Sequence, residues 1–127
     1  LFSKGKVVDI YNISLGPNPL GDKEQDGDGK TPEGKYGIVE KNNKSRYHYA
    51  LKISYPDKTD ALDARKKQVD PGGDVFIHGY PNIYPDWLGK LLLKNKDWTD
   101  GSIAVSNDEI EKIWSYTRIG TMIEILP

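Results

Sequence analysis

The sequence predicts a mainly β domain with peripheral α-helices, and three features carry that expectation. Short stretches of β-branched and aromatic residues recur along the chain, each closed by Gly, Pro or Asn. Helical spacing is confined to two or three segments that do not alternate regularly with the strands, which argues against a parallel α/β sheet. The chain has 127 residues, 36% of them hydrophobic, enough for one compact core and too few for a second.

Residues 4–15 set Val7, Val8, Ile10, Tyr11 and Ile13 among polar neighbours and read as a first strand, ended by Gly16-Pro17-Asn18-Pro19. Residues 16–37 are dense in Gly, Pro, Asp and Lys and predict a long ordered loop. Two strands follow at 36–40 and 47–54, the second alternating Tyr47, Tyr49, Leu51 and Ile53 against polar or small residues, with Asn42-Asn43-Lys44 as their turn. Residues 59–69 suit a short helix capped by Thr59 or Asp60 and stopped by Pro71-Gly72-Gly73. Asp74-Val75-Phe76-Ile77 is a short buried strand that delivers His78-Gly79 at its end, and residues 80–84 are aromatic and turn-rich. A helix is expected at 85–94, with Trp87, Leu88, Leu91 and Leu92 on one core-facing side. After a strand at Ile103-Ala104-Val105, Ser106-Asn107-Asp108-Glu109 forms a capping box for a helix whose buried stripe is Ile110, Ile113 and Trp114. Gly120 breaks to a last strand at 121–126.

Charge excludes whole classes of partner. With 18 basic and 19 acidic residues the net charge is −1, so there is no electrostatic footprint for nucleic acid or an anionic membrane. Cysteine is absent, which removes disulfides, thiolate metal sites and a thiol nucleophile. The longest apolar run, Leu91-Leu92-Leu93, is far too short to span a bilayer. No basic-then-apolar leader precedes Leu1, and an opening on Leu rather than Met predicts a mature or excised segment. Asp22, Glu24, Asp26, Gly27 and Glu33 fall at the positions of an EF-hand calcium loop. A strand precedes them, however, and Pro32-Glu33-Gly34 would break the helix such a loop needs after it, so a solvated acidic turn is expected.

The stretch from Lys96 to Asn107 has the character of an active-site turn. Thr99-Asp100-Gly101-Ser102 leaves a polar loop and enters an apolar run, which puts a hydroxyl where a strand begins. Gly101 lets the backbone turn sharply there and bring its amides close to a bound carbonyl. His78 ends an apolar strand and precedes a Gly, where a rigid element presents a side chain to a cleft. His48 lies inside an alternating strand and reads as a half-exposed sheet residue or a pocket-edge group. Ser102 and His78 are therefore a candidate nucleophile and general base, with Asp97 or Asp100 available as a third partner that neither spacing demands.

These residues resemble a known family. His78-Gly79 followed by Asp97-Trp98-Thr99-Asp100-Gly101-Ser102-Ile103-Ala104-Val105 is similar to the YkuD-type L,D-transpeptidase catalytic domain, in its branch with an Asp-Trp-Thr-x-Gly-Cys signature. Gly21-Asp22-Lys23, Gly27-Asp28-Gly29-Lys30-Thr31-Pro32-Glu33-Gly34, Ser54-Tyr55-Pro56 and Gly120-Thr121-Met122-Ile123-Glu124-Ile125 extend the resemblance over nearly the whole chain. It implies that residues 1–127 are one catalytic domain, a β-sandwich of mixed sheets, with no cofactor and no metal. It also implies acyl transfer on peptidoglycan stem peptides in the periplasm or cell envelope, a role in cell-wall biogenesis and cell shape. Ser102 would stand at the nucleophile position and His78 at the general base. Gly79 would orient the imidazole through its carbonyl, and the Gly101 and Ser102 amides would face the oxyanion. Tyr80, Tyr84, Trp98, Thr99, Asp100 and His48 are the candidates to line the substrate cleft, with core packing as the alternative for the aromatic residues.

Two alternatives stay open beside transfer. One is hydrolysis in the same site, as an L,D-carboxypeptidase or as an amidase that detaches a wall-attached lipoprotein; the other is a non-catalytic peptidoglycan-binding module. One departure bears on all three, because the family's cysteine nucleophile is Ser102 here. A thiol with a pKa of about 8.5 can yield its proton to an imidazole in advance, whereas a hydroxyl needs base catalysis during attack. The position is either an inactivated cysteine site or a working serine variant. A lesser departure is Asp100, where many members carry a second histidine.

Overall fold

The computed structural model describes the whole chain, Leu1–Pro127. It begins with a small antiparallel ribbon of β1 (Phe2–Ser3) and β2 (Lys6–Val7). After the long loop come β3 (Gly34–Ser45) and β4 (His48–Ile53), then α1 (Lys58–Lys66), β5 (Phe76–His78), α2 (Asp86–Leu93), β6 (Ile103–Ala104), α3 (Asn107–Tyr116) and β7 (Met122–Ile125). The main sheet runs β6-β5-β4-β3-β7, antiparallel throughout except for the parallel pair β5–β6. The fold is thus mainly β with helices at the periphery, as the sequence predicts.

Alternation builds the core. Tyr36 and Ile38 of β3 and Leu51 and Ile53 of β4 point to one side and are almost fully buried, joined by Tyr55, Val75, Val105 and Ile110. Ile110 comes from α3, whose start is fixed as expected: Ser106 Oγ accepts from the Glu109 amide and Glu109 Oε1 accepts from the Ser106 amide. Tyr49, Ile113 and Trp114 pack around the same cluster.

Several expected elements are displaced, each for a visible reason. Residues 4–15 are not one strand: the ribbon occupies their start, Ile10 and Ile13 are exposed, and only Ser14 reaches the sheet, bridging Ala104. The turn between β3 and β4 lies at Arg46-Tyr47, not at Asn42-Asn43-Lys44. Asn42 Oδ1 instead accepts from the Lys44 amide and sits at a bulge within β3, while Ser45 Oγ donates to His48 O and accepts from the Tyr47 amide to close the turn. The α1 cap is Asp57, not Thr59 or Asp60; Asp60 supplies the return bond of its capping box. On α2 the expected core face is only partly turned inward: Leu88 is half-buried, but Trp87 is 67% and Leu91 71% exposed. The helix docks through Gly89, where a Cβ would fall 2.8 Å from the Tyr80 ring, and that close approach turns the larger residues outward.

The loop at 16–37 folds around its own cation. Lys23 is 5% exposed, and its Nζ donates to Asp28 Oδ1 (2.9 Å) and to Gln25 O (3.2 Å). The Asp28 carboxylate also accepts from the Glu24, Gln25 and Lys30 amides. Asp22 accepts from the Glu33 amide and Glu24 pairs with Lys67, so the acidic residues of the loop turn to separate partners. No group of three or more His, Asp or Glu side chains converges as metal ligands would.

Burial on its own would raise the Asp28 carboxyl, but the three amides and Lys23 outweigh it and hold it at about 2 against 3.8 for the free group. The stability contributed is complete above about pH 4 and is lost as pH falls through about 2, amounting to about 2 kcal/mol. Asp28→Asn should lower the neutral-pH denaturation midpoint and flatten its decline between about pH 4 and 2, read by urea titration across that range. At the other end of the domain, Ser106→Ala should cost about 1 kcal/mol in the same assay through loss of the α3 cap.

Candidate active site

The parallel pairing of β5 with β6 sets Ile77 beside Ile103 and His78 beside Ala104. One step earlier, the Phe76 amide donates to Ser102 Oγ at 3.1 Å. His78 and Ser102 are each 5% exposed and both line an open cleft of about 810 Å³. A backbone N–H aimed at the Oγ position favours negative charge there, whether on oxygen or on a sulfur in its place.

The turn before Ser102 is held from inside and from behind. Thr99 Oγ1 donates to Ser102 O (2.7 Å) and accepts from the Gly101 amide (3.2 Å), which makes Thr99 a staple across the turn. Behind it, Thr31 Oγ1 donates to Gly101 O at 2.7 Å. Gly101 has φ +133°, and a Cβ there would lie 2.7 Å from Lys30 O, so no other residue fits without moving the loop. With the Gly101 amide taken by Thr99, the Ser102 amide, like that of Asp100, is left without a partner in this turn.

His78 is oriented by backbone. Its Nδ1 lies 2.7 Å from Gly79 O, and because a carbonyl can only accept, Nδ1 carries the proton and Nε2 is the basic nitrogen. Gly79 is required for space: a Cβ would fall 2.5 Å from Asn107 Oδ1, which itself accepts from the Tyr80 amide. Burial pushes the imidazole below the ordinary histidine range, outweighing the bond to Gly79 O and the Asp100 carboxylate, both of which favour the charged form. Burial therefore favours the neutral form of the imidazole.

Of the residues singled out in the sequence, the structure brings His78, Ser102, Trp98, Thr99 and Asp100 to one cleft. Asp97 lies elsewhere, accepting from the Leu15 amide, and no carboxylate backs the imidazole; the Gly79 carbonyl fills that place. Tyr80 is 3% exposed beneath α2, and Tyr84 is half-buried in the turn that follows. His48 stacks on Tyr49 and has its Nε2 3.6 Å from Glu111, away from the cleft lining. The cleft also takes Lys44, Arg46, Tyr47, Asp74 and Phe76, which sequence reasoning missed. With the turn expected at residues 42–44, Tyr47 reads as the start of the following strand, and a residue inside a strand gives no sign that it overhangs a site.

Comparison with known proteins bears on the family and the fold. The sequence pattern of the YkuD L,D-transpeptidase catalytic domain matches residues 1–125. YafK of Escherichia coli (strain K12), named provisionally as an L,D-transpeptidase, is 29% identical over 114 residues, covering 87% of this chain and 37% of its own length. The helical cell shape determining protein Pgp2 of Campylobacter jejuni superposes with a TM-score of 0.66 at 27% identity, over 88% of this chain and 36% of that one. An L,D-transpeptidase from Xylanimonas cellulosilytica, 18% identical, shares the fold with a TM-score of 0.58 over 98% of this chain and 53% of that one. The chain thus spans little more than a third of the length of YafK and Pgp2. A match across 125 of its 127 residues, on a fold shared with solved relatives, places the chain in the YkuD family of L,D-transpeptidase catalytic domains.

Proposed function

We propose that residues 1–127 are a catalytic domain for acyl transfer on peptidoglycan stem peptides, with position 102 as the nucleophile and His78 as the general base. The observation that supports this most is the delivery of both groups, nearly buried, from neighbouring parallel strands into one open cleft. In this reading the atom at position 102 attacks the carbonyl carbon of an L,D peptide bond while its proton passes to His78 Nε2. The Ser102 amide meets the oxyanion, the C–N bond breaks, and the leaving amine takes the proton from the imidazole. An acceptor amine then attacks the acyl-enzyme, returning the nucleophile. Trp98, Thr99 and Asp100 border the bound stem. The substrate is a wall polymer, so the reading carries with it a periplasmic or cell-envelope location.

The site suits a thiol, and Ser102 is expected to leave it nearly inert. Intact-protein mass spectrometry after incubation with tetrapeptide-stem fragments should show an acyl adduct on Ser102→Cys and none on the parent chain. Adding His78→Ala to the Cys form should cut acylation by about 10²–10⁴-fold, the usual contribution of a positioned base. Equal acylation of the parent would make Ser102 a working nucleophile. Fragments that bind without acylating either form would make the domain a binding module.

A further inference from the structure

Tyr47 had no part in the sequence-based site, yet it grips the His78-Gly79 pair twice. Its ring stacks on the imidazole with centroids 4.6 Å apart and planes at 29°. Its carbonyl accepts from the Gly79 amide at 2.9 Å, a donor shared with Tyr49 O at 3.3 Å, and the Gly79 carbonyl is in turn the partner of His78 Nδ1. Trp98 completes the enclosure, 5.6 Å from the imidazole and 6.0 Å from Tyr47. Tyr47 occupies the two-residue turn between β3 and β4, and one side chain clasps that turn to the segment after Gly79. Asn82 accepts from the His48 amide through Oδ1 and donates to Ser45 O through Nδ2, and its own amide donates to Arg46 O.

We propose that Tyr47 is a positioning residue for the reaction: its ring is the wall that keeps water off the His78 imidazole, and its carbonyl helps hold the Gly79 N–H, adjacent along the backbone to the Gly79 carbonyl that orients the imidazole. The catalytic part of this inference rests on His78 being the base, as proposed above. Tyr47 is itself 39% exposed, so its ring stands between the imidazole and solvent at the mouth of the cleft. An aromatic face also attracts a cation, which would favour the imidazolium. Removal of nearly all water from His78 opposes that and prevails, because the ring replaces hydration with a weaker partner.

The charges around His78 do not alter this balance. Asp100, from the turn before Ser102, acts on the imidazole and favours its charged form. Lys44, Arg46 and Asp74 share the cleft, with Asp74 paired to Lys52. On α3, which packs against β5, the charged groups turn elsewhere: Asp108 to Lys90, Glu109 to the Ser106 amide, Glu111 towards His48 and Lys112 to Asp9.

The test is an NMR titration of the imidazoles in the parent chain, which has only two histidines to assign. Tyr47→Phe keeps the wall and should leave the His78 midpoint unchanged. Tyr47→Ala should raise it towards the ordinary histidine value; Tyr47→Ser, polar in an exposed turn, serves the same purpose if the Ala form does not fold. An unchanged midpoint on ring removal overturns the proposal, as does a fall, which would mean that attraction of the cation prevails, or an equal rise with Phe, which would assign the effect to the hydroxyl. In the Ser102→Cys background the acidic limb of the acylation profile should move up in pH with Tyr47→Ala and stay in place with Tyr47→Phe. A uniform loss of rate without movement of the limb would reduce Tyr47 to a structural residue. Failure of the Cys form to acylate would count against the proposed function, while the titration would still decide the role of Tyr47.

Discussion

Three stretches of backbone meet behind residue 102, and the rest of the site depends on how closely they approach. A Cβ on Gly16 would lie 2.4 Å from Gly29 O and 3.0 Å from the Gly101 amide, while one on Gly101 would lie 2.7 Å from Lys30 O. Main chain packed on main chain leaves no room for side chains and little room for error. The Lys23–Asp28 pair, shielded from solvent, fixes the shape of the 16–37 loop, and Thr31 passes that shape to the Gly101 carbonyl. Thr99 then sets the last step, from Gly101 to Ser102. The glycine-rich loop is thus a rigid backing for a turn 70 residues away along the chain.

The opposite side of the site is organised from a helix start. Asn107, the first residue of α3, accepts from the Tyr80 amide and occupies the space that a side chain at Gly79 would need. Val105, just before the cap, donates to His78 O. The residues on either side of the Ser106 cap, Val105 and Asn107, thus tie the start of α3 to the His78-Gly79 segment. Because Ile110 of the same helix is fully buried in the core, displacement of the imidazole's support would disturb core packing as well.

What was legible in the sequence is what short-range chemistry decides. The α3 capping box, the alternation of Leu51 and Ile53, and the two motifs at His78-Gly79 and Thr99–Ser102 each depend on residues a few positions apart. What was not legible depends on distant partners. Asn42-Asn43 carries a stronger turn signal than Arg46-Tyr47, yet Asn82, far along the chain, holds the turn at the latter. The periodicity of α2 is genuine, but Gly89 against Tyr80 decides which face is inside. The same holds for Gly101, whose amide is available on paper and taken in the fold by Thr99.

In the proposed reading, the surroundings of His78 bear on why a serine at position 102 would be a poor substitute for a thiol. In serine hydrolases a carboxylate behind the imidazole fixes its tautomer and stabilises the imidazolium, and its loss costs about 10⁴-fold. Here the partner of Nδ1 is the Gly79 carbonyl, which fixes the tautomer but brings no negative charge. Burial further weakens the imidazole as a base, and Asp100, which works against that weakening, has the smaller effect. Such an imidazole is matched to a thiol, whose proton lies within a few pK units of its own, and mismatched to a hydroxyl. The Phe76 amide then supplies what an anionic sulfur lacks, a fixed donor in a place almost without water. On that proposal, a neutral, shielded base beside a prepaired anion site would serve a nucleophile that ionises readily, and the parent hydroxyl does not.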